Sequence, residues 1–173
     1  ANTLMGNSGN NRLDGGALAD TLIGGLGNDT YVVGNGDVVI ESSTLATEID
    51  TVQSSISYTL TANVEKLVLT GSNSINGAGN GLANTLTGNA GNNVLNGGAG
   101  VDTLIGGLGN DTYLVDDSND MVKETSIVST EIDTVQSSAS YTLSVNVEKL
   151  VLTGTAALNG VGNTLANTLT GNS

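Results

Sequence analysis

The sequence predicts an all-β chain wound as a solenoid of stacked short strands, and three observations support this fold class. The 173 residues include 25 glycines and no proline, and four tyrosines are the only aromatic residues. A solenoid needs no bulky core, because it buries a thin line of Leu, Val and Ile between its coils. The sequence also repeats itself internally, and its apolar segments are short and β-branched without a helical period.

The internal repeat is long and divides the chain into modules. The tetrapeptide ANTL begins at Ala1 and returns at Ala83 and at Ala166, so the two intervals are nearly equal. Longer segments recur with it, since EIDTVQSSISYTL in the first copy returns as EIDTVQSSASYTL in the second. We expect one continuous solenoid made of module 1 (residues 1–82), module 2 (residues 83–165) and the start of a third copy (residues 166–173).

Each module begins with degenerate nonapeptides and continues with two strong ones. The strong pairs are GGALADTLI GGLGNDTYV from Gly15 and GGAGVDTLI GGLGNDTYL from Gly97. Both follow the pattern G-G-x-G-x-D-x-U-x, in which U is a large apolar residue, except that Leu18 replaces the third glycine in the first unit. The degenerate units carry asparagine at the aspartate position, where it offers a metal ion only a neutral oxygen. These asparagines are Asn2, Asn11, Asn84 and Asn93.

The spacing within a strong nonapeptide has a physical explanation. Its first six residues form a turn, for which glycine permits left-handed backbone conformations. Its last three form a short strand whose middle residue faces the core, because side chains alternate along a strand. We expect the hydroxyls of the two inward tyrosines to reach water at the edge of the core. The four inward residues are Leu22, Tyr31, Leu104 and Tyr113.

These repeats make the chain resemble the RTX (repeats-in-toxin, hemolysin-type) proteins. The resemblance implies a right-handed parallel β-roll in which two nonapeptides form one coil, so that turns eighteen residues apart stack on one edge. It also implies that aspartates and backbone carbonyls of stacked turns bind calcium, which takes six to eight oxygen ligands. The metal ligands expected on this basis are Gly16, Asp20, Gly25, Gly27, Asp29, Gly98, Gly100, Asp102, Gly107, Gly109, Asp111 and Asp120.

Stacking at this interval predicts which turn residues meet. The expected pairs are Asp102 with Asn84 and with Asp120, Asp111 with Asn93, Asp20 with Asn2, and Asp29 with Asn11. Leu18 stands where the other strong turns have the third glycine of the pattern, and module 1 is one residue shorter just after Val33. We therefore expect module 2 to bind calcium more tightly than module 1.

An acidic group in module 2 has no full counterpart in module 1. It comprises Asp116, Asp117, Asp120 and Glu124. Two interpretations are open from the sequence: the group adds a ligand to the ion of Asp102, or it is a solvated edge.

The remaining part of each module lacks the glycine turn. In module 1 it extends from about Val33 to Ala78 and contains DVVIE, TVQSSISYTL and VEKLVLTG. These segments are β-branched and partly alternating, which predicts strands. We expect them to continue the same stack with altered turns.

Charge and composition exclude several classes of function. The net charge is −13, from 17 acids against four bases, so no basic patch for nucleic acid is present. The chain has no histidine and no cysteine, which excludes Ser–His and Cys–His catalysis. No apolar run approaches eighteen residues and no signal-peptide pattern begins at Ala1, so membrane insertion is not expected. We expect no enzyme activity.

The leading functional hypothesis is a non-catalytic calcium-binding module that folds as calcium binds. The resemblance implies type I export from bacteria and a secreted, extracellular location. A second hypothesis is a repeat unit of a self-assembling fibre, surface layer or adhesin stalk. It includes calcium-dependent end-to-end association, because residues 1–8 (ANTLMGNS) and 166–173 (ANTLTGNS) are in the same phase of the repeat. A third is an ice- or polysaccharide-binding face built from Thr85, Thr103 and Thr112.

Overall fold

The computed structural model describes all 173 residues as nineteen β-strands, each two to four residues long, with their connecting turns. There is no helix, and therefore none that could cross a lipid bilayer. The strands are β1 (Thr3–Met5), β2 (Arg12–Asp14), β3 (Thr21–Ile23), β4 (Thr30–Val33), β5 (Val38–Ile40), β6 (Thr51–Ser54), β7 (Tyr58–Thr59), β8 (Lys66–Leu69), β9 (Gly77–Ala78), β10 (Thr85–Thr87), β11 (Val94–Asn96), β12 (Thr103–Ile105), β13 (Thr112–Val115), β14 (Met121–Lys123), β15 (Thr134–Ser137), β16 (Tyr141–Thr142), β17 (Lys149–Leu152), β18 (Gly160–Val161) and β19 (Thr168–Thr170).

The strands alternate between two faces of a solenoid, and every pairing is parallel. Odd-numbered strands form the first face, in sheets β1-β3-β5 and β7 to β19. Even-numbered strands form the second face, in sheets β2 to β14 and β16-β18. Two strands make one coil, so the chain winds through about nine coils. The prediction of an all-β parallel solenoid is confirmed.

The core is a column of side chains from the middle of the strands. Each strong nonapeptide buries its U residue completely, as predicted for Leu22, Tyr31, Leu104 and Tyr113. These residues belong to one continuous cluster of 23 buried side chains that extends from Leu13 to Leu152. Full burial of such a side chain contributes roughly 1.5–3 kcal/mol, so stacked coils supply the stability that single short strands lack.

The segments without glycine turns continue the stack, and their coil lengths compensate for one another. Nonapeptide strands pair with the strand two nonapeptides further along, as Thr85 does with Thr103. On the second face of module 1, Thr30 pairs with Thr51 across a longer coil, and Thr51 pairs with Lys66 across a shorter one. The longer coil holds an outward loop at residues 41–50, and the shorter coil restores the register.

Equivalent strands of the two modules lie on opposite faces. Each module contributes nine strands, an odd number, so β4 of module 1 is on the second face while its counterpart β13 is on the first. We call the turns that lead from the first face to the second the first edge, and those that lead back the second edge. Asp29 therefore lies on the first edge and its counterpart Asp111 on the second. After two modules the phase returns, and β19 lies on the same face as β1.

The turn glycines adopt the left-handed conformations that the pattern predicts. Gly98 and Gly100, the second and fourth residues of one strong turn, have φ of 84° and 129°. In the equivalent turn of module 1 the fourth position is Leu18, which holds φ at 80° with 72% of its surface exposed. A left-handed residue with a Cβ costs roughly 1–2 kcal/mol, so this turn is strained.

Replacing this leucine tests the strain directly. We expect Leu18→Gly to raise the free energy of unfolding by about 1 kcal/mol, because it removes the Cβ conflict and almost no packing. Gly16→Ala is the matched control, since Gly16 has φ of 74° and a Cβ there would meet nothing within 4 Å. The free energy of unfolding of Gly16→Ala should fall by about 1 kcal/mol, because alanine is strained at this positive φ. Denaturant unfolding measures both, and a Leu18→Gly chain less stable than the parent would contradict the argument.

Candidate metal centres

Every strand is preceded directly by Asp, Asn, Glu or Ser, and this position organises both edges. Its carbonyl joins the sheet, as when Asn84 accepts from Thr103 N–H. At ten of these positions the N–H faces the turn, where a carboxylate of the following coil accepts it. We call the resulting row of contacts the side-chain ladder. A buried N–H needs such a partner, because leaving it unpaired is costly.

The side-chain ladder brings together the residues that the sequence paired. The N–H groups of Asn84 and Asn93 donate to Oδ1 of Asp102 and Asp111, both at 2.7 Å. The remaining expected pairs also form: Asp102 N–H with Asp120 Oδ1 at 2.9 Å, Asn11 N–H with Asp29 Oδ1 at 2.7 Å, and Asn2 N–H with Asp20 Oδ1.

The second carboxylate oxygen of each strong-repeat aspartate is buried and has no hydrogen-bond partner. These oxygens are Oδ2 of Asp20, Asp29, Asp102 and Asp111, on residues no more than 2% exposed. Only two other buried side-chain oxygens, both hydroxyls, share this condition: Thr61 Oγ1 and Ser144 Oγ. A buried charged oxygen without a partner is strongly unfavourable, so each of these aspartates needs a proton or a cation.

The turns also supply free carbonyl oxygens. The seven glycines predicted as ligands accept no turn or loop hydrogen bond through their carbonyl oxygens. They lie in the same turns as the unpartnered aspartate oxygens. The donor set is thus carboxylate and carbonyl oxygen throughout, which suits calcium. Which of these glycine carbonyls coordinate an ion stays a prediction.

Two further groups of acids meet on the edges, and the sequence analysis missed them. Asp29 lies with Glu41 and Asp50, and Asp111 lies with Glu124 and Asp133; in each group the carboxylate oxygens are within 4.8 Å of one another. We call these groups the carboxylate triads. The sequence does contain a signal for Asp50 and Asp133, because Asp50-Thr-Val and Asp133-Thr-Val share the D-T-apolar tripeptide of the strong repeats. Glu41 and Glu124 carry no such signal.

The comparison with known families agrees with this geometry. The family model of the RTX calcium-binding nonapeptide repeat matches in four copies, over residues 5–40 and 78–113. The chain carries RTX calcium-binding repeats. Comparison with curated proteins and with solved structures gives no match. Calcium is the ligand expected of RTX repeats, and the unpartnered aspartate oxygens of this chain fit that ion.

The acidic group of module 2 is divided by the fold between the two edges. Asp120 lies on the first edge, like Asp102. Its Oδ2 accepts the N–H groups of Asp116 and Asp117 at 3.2 Å. Both oxygens of Asp120 are therefore hydrogen-bonded, and its role as a calcium ligand stays a prediction. The sequence grouped Glu124 with these residues, and this grouping was wrong. Glu124 follows β14 and lies on the second edge with Asp111.

The tyrosines of the RTX repeats differ from the expectation as well. Tyr31 and Tyr113 are fully buried, so their hydroxyls do not reach water. Tyr31 donates to Glu41 Oε2 at 2.6 Å, and Tyr113 donates to Glu124 Oε2. Burial, and next the bonded glutamate, raise the pKa of each tyrosine above its ordinary value. The hydroxyl is thus a fixed donor that orients the glutamate.

No lysine or arginine pairs with these buried acids. The only ion pairs are the N-terminus of Ala1 with Asp20 at 3.9 Å and Arg12 with the exposed Asp14 at 3.0 Å. Burial, partly offset by a backbone hydrogen bond and reinforced by neighbouring carboxylates, raises the pKa of Asp50 and of Asp133 to about 7. The same causes raise the pKa of Asp102 and of Asp111 to about 6. Without a cation these groups hold protons at mildly acidic pH.

The asparagine turns satisfy themselves without an ion. Asn84 Oδ1 accepts the N–H of Asn80 at 2.7 Å, and its Nδ2 donates to the carbonyl of Val64 at 3.1 Å. Asn93 behaves in the same way, and its Nδ2 donates to the carbonyl of Ile75 at 2.6 Å. The amide supplies the donor that an aspartate lacks, so the asparagine turns hold the stack where no cation is needed.

The raised pKa values predict how pH acts on the calcium-free chain. A carboxyl whose pKa is raised on folding stabilises the fold below its ordinary pKa of 3.8, and this contribution is lost as pH rises through 6 to 7. We expect the melting temperature of calcium-free protein to fall between pH 4.5 and pH 8, and calcium affinity to rise over the same range. The double variant Asp50→Asn/Asp133→Asn keeps the oxygen that accepts the ladder N–H and should show a flatter profile. A calcium-free melting temperature that rises with pH would contradict this sign.

Proposed function

We propose that the chain is a non-catalytic calcium-binding RTX β-roll module that folds as calcium binds outside the cell. The observation that carries the proposal is the set of four buried aspartate oxygens without partners, one in each strong repeat. Free glycine carbonyls lie in the same turns. Calcium provides the positive charge that the chain lacks, and an ion that binds only the folded state stabilises it.

Folding should depend on calcium because conformational entropy and carboxylate repulsion both oppose folding, while core packing favours it. Ordering a glycine-rich chain costs more conformational entropy than ordering an average sequence. Buried carboxylates on both edges repel one another, and no lysine or arginine pairs with them. Packing of the coil cores opposes both terms, and bound calcium removes the repulsion. The calcium-free chain should therefore be largely unfolded at neutral pH.

Secretion is part of the proposal because the extracellular medium supplies calcium continuously. RTX resemblance implies type I export, and the strong net charge of −13 keeps the unfolded chain soluble. Folding would then begin where calcium is abundant. The absence of histidine and cysteine supports a binding role over catalysis, and nearly every acid has a counterpart one module away.

The proposal is tested by circular dichroism and calorimetry with calcium and with chelator. Calcium should produce the β signal and raise the melting temperature, with about 2.7 kcal/mol of stabilisation for each site at a hundredfold excess over its Kd. Magnesium should substitute poorly because it requires tight octahedral geometry. Asp102→Ala should lose more calcium affinity than Asp20→Ala, since the turn of Asp20 contains the strained Leu18. An unchanged β signal and melting temperature in chelator would exclude the proposal, and equal losses would exclude only the ranking of modules.

A second proposed function is assembly through the ends of the stack. All three residues of β19 are exposed, and Leu169 is 48% exposed while its counterpart Leu86 is fully buried. Because β1 lies on the same face, a second copy would continue the coil in register, and such a contact propagates instead of closing. The threonine face receives no support, since Thr112 lies on the opposite face from Thr85 and Thr103.

Association is measured by sedimentation and electron microscopy across a calcium titration. We expect filaments or oligomers of this chain at high calcium, because shared ions reduce repulsion between acidic ends. Leu169→Lys should abolish them by placing a charge in the contact. The control Leu165→Lys changes a similarly exposed leucine (45%) in the turn before β19. A monomer at high calcium would exclude assembly of this chain by itself.

A further inference from the structure

We propose that the two carboxylate triads are cation sites of a second kind, each holding one hard, oxygen-seeking cation beside a buried tyrosine. The ion would be calcium in the natural setting and a lanthanide as a probe. The inference rests on the proposed function only for the identity of the natural ion. It assigns to each module one site beside those of the glycine turns, and that site shares Asp29 or Asp111 with the last strong turn.

The acids that distinguish these sites lie outside the RTX repeats. The matched ranges end at residues 40 and 113, before Glu41, Glu124 and Asp133, and Asp50 lies between the two ranges. Each triad takes one aspartate from the last strong turn and two acids from the long coil that has no glycine turn. The outward loop at residues 41–50 begins and ends with triad members. The longer coil thus has a specific consequence: it brings two more carboxylates against Asp29.

Hydrogen bonds to one oxygen of each aspartate and to both oxygens of the glutamate orient the triad. Asp29 Oδ1 accepts the N–H of Asn11, and Asp50 Oδ1 accepts the N–H of Asp29, both at 2.7 Å. Glu41 accepts the N–H of Ser43 through Oε1 at 2.8 Å and the Tyr31 hydroxyl through Oε2. Module 2 repeats these contacts at Asp133, Glu124 and Tyr113. Once the coils have formed, these contacts therefore hold the acid side chains in place, which reduces the ordering cost of binding.

An unpartnered oxygen distinguishes the triad from an ordinary acidic cluster. Asp29 is 1% exposed, and its Oδ2 has no partner. A Cβ at Gly24 would overlap this oxygen, Glu41 Oε2 and the Tyr31 hydroxyl oxygen together. Three oxygens thus converge over one glycine, whose missing side chain leaves them room. Gly106 provides the same space for the corresponding oxygens of Asp111, Glu124 and Tyr113.

Each triad has a path to solvent with the right charge for a cation. In module 1, Asp50 lines a cleft of about 160 Å³ together with Glu48 and Glu65. In module 2, Asp133 lines a cleft of about 350 Å³ with Glu131 and Glu148. The clefts lie on opposite edges because the modules are half a coil out of phase. A cation approaching either triad passes only acidic charged groups.

The same geometry forms despite a difference in chain length. One more residue separates Asp111 from Glu124 than separates Asp29 from Glu41. The turn between β4 and β5 is correspondingly shorter than its counterpart between β13 and β14, and both triads still close to within 4.8 Å. The arrangement is therefore set by the long coil and the tyrosine and does not depend on the intervening turn.

The buried tyrosines provide a readout for the triads. Tyr31 and Tyr113 hydrogen-bond the triad glutamates, whereas Tyr58 and Tyr141 lie near Asp37 and Asp120 on the turns that follow those of Asp20 and Asp102. Terbium takes calcium-type oxygen sites, and its emission is sensitised by a tyrosine within a few ångströms. The chain has four tyrosines and no tryptophan, so the signal can be assigned. With metal-free full-length chain titrated with terbium, we expect strong emission on tyrosine excitation. Tyr31→Phe/Tyr113→Phe should lose the share of the emission that comes from the triads, while Tyr58→Phe/Tyr141→Phe should retain that share.

A second pair of variants tests the carboxylates themselves. Glu41→Gln/Glu124→Gln should lower terbium affinity at the sensitised sites about tenfold or more and remove two sites from the calcium stoichiometry measured by calorimetry. Asp14→Asn, which removes an exposed carboxylate paired with Arg12, is the charge control and should leave both unchanged. Circular dichroism in calcium verifies folding, and the tyrosine variants decide the question if the glutamine variants do not fold.

The outcomes separate this inference from the proposed function. Terbium emission that Tyr31→Phe/Tyr113→Phe leaves undiminished, or calcium stoichiometry unchanged by Glu41→Gln/Glu124→Gln, would overturn the triad sites while leaving calcium binding by the glycine turns intact. A second outcome would support the triads and overturn the proposed function. In it, the Tyr31→Phe/Tyr113→Phe and Glu41→Gln/Glu124→Gln variants both lose sensitised emission, while folding of the chain does not respond to calcium.

Discussion

The structure depends on one contact repeated along both edges: the side chain before a strand accepts the backbone N–H of the residue at the same position one coil earlier. Strands of two to four residues cannot form a stable sheet alone, and the interaction extends ten of the strand pairings by one residue at their beginning. At Asp29 and Asp111 it also crosses the longer coils, where it reaches Asp50 and Asp133. Parallel register is thereby kept through turns of very different length.

This contact places polar side chains in buried rows, and the chain satisfies them in two ways. Asn84 and Asn93 use an amide, which donates as well as accepts. Asp120 turns its second oxygen to backbone N–H groups of its own turn. The strong-repeat aspartates do neither, and their remaining oxygens have no partner. Electrostatic cost is therefore confined to positions where a cation can relieve it, and structural and binding turns alternate along the stack.

The odd number of strands in a module distributes this charge. With nine strands each, the modules present equivalent turns on opposite edges, so the triads of Asp29 and Asp111 do not stack on one another. An even number would place both triads on one edge and concentrate their repulsion there. The breaks in the two sheets fall on opposite faces for the same reason, and at the second break the Tyr141 hydroxyl accepts the N–H of Val122.

The sequence by itself determined the parallel solenoid, the inward residues and the aspartate–asparagine pairs, because these follow from the alternation along a strand and from the nonapeptide repeat. It also marked Asp102 and Asp111 through the glycine turns. Only the tertiary structure decided that Glu41 meets Asp29, that Glu124 meets Asp111 and not Asp102, and that the tyrosine hydroxyls are buried. Those contacts depend on which edge a residue occupies. The edge that a residue occupies depends on how many strands precede it, across coils of unequal length. A local sequence pattern does not contain this information.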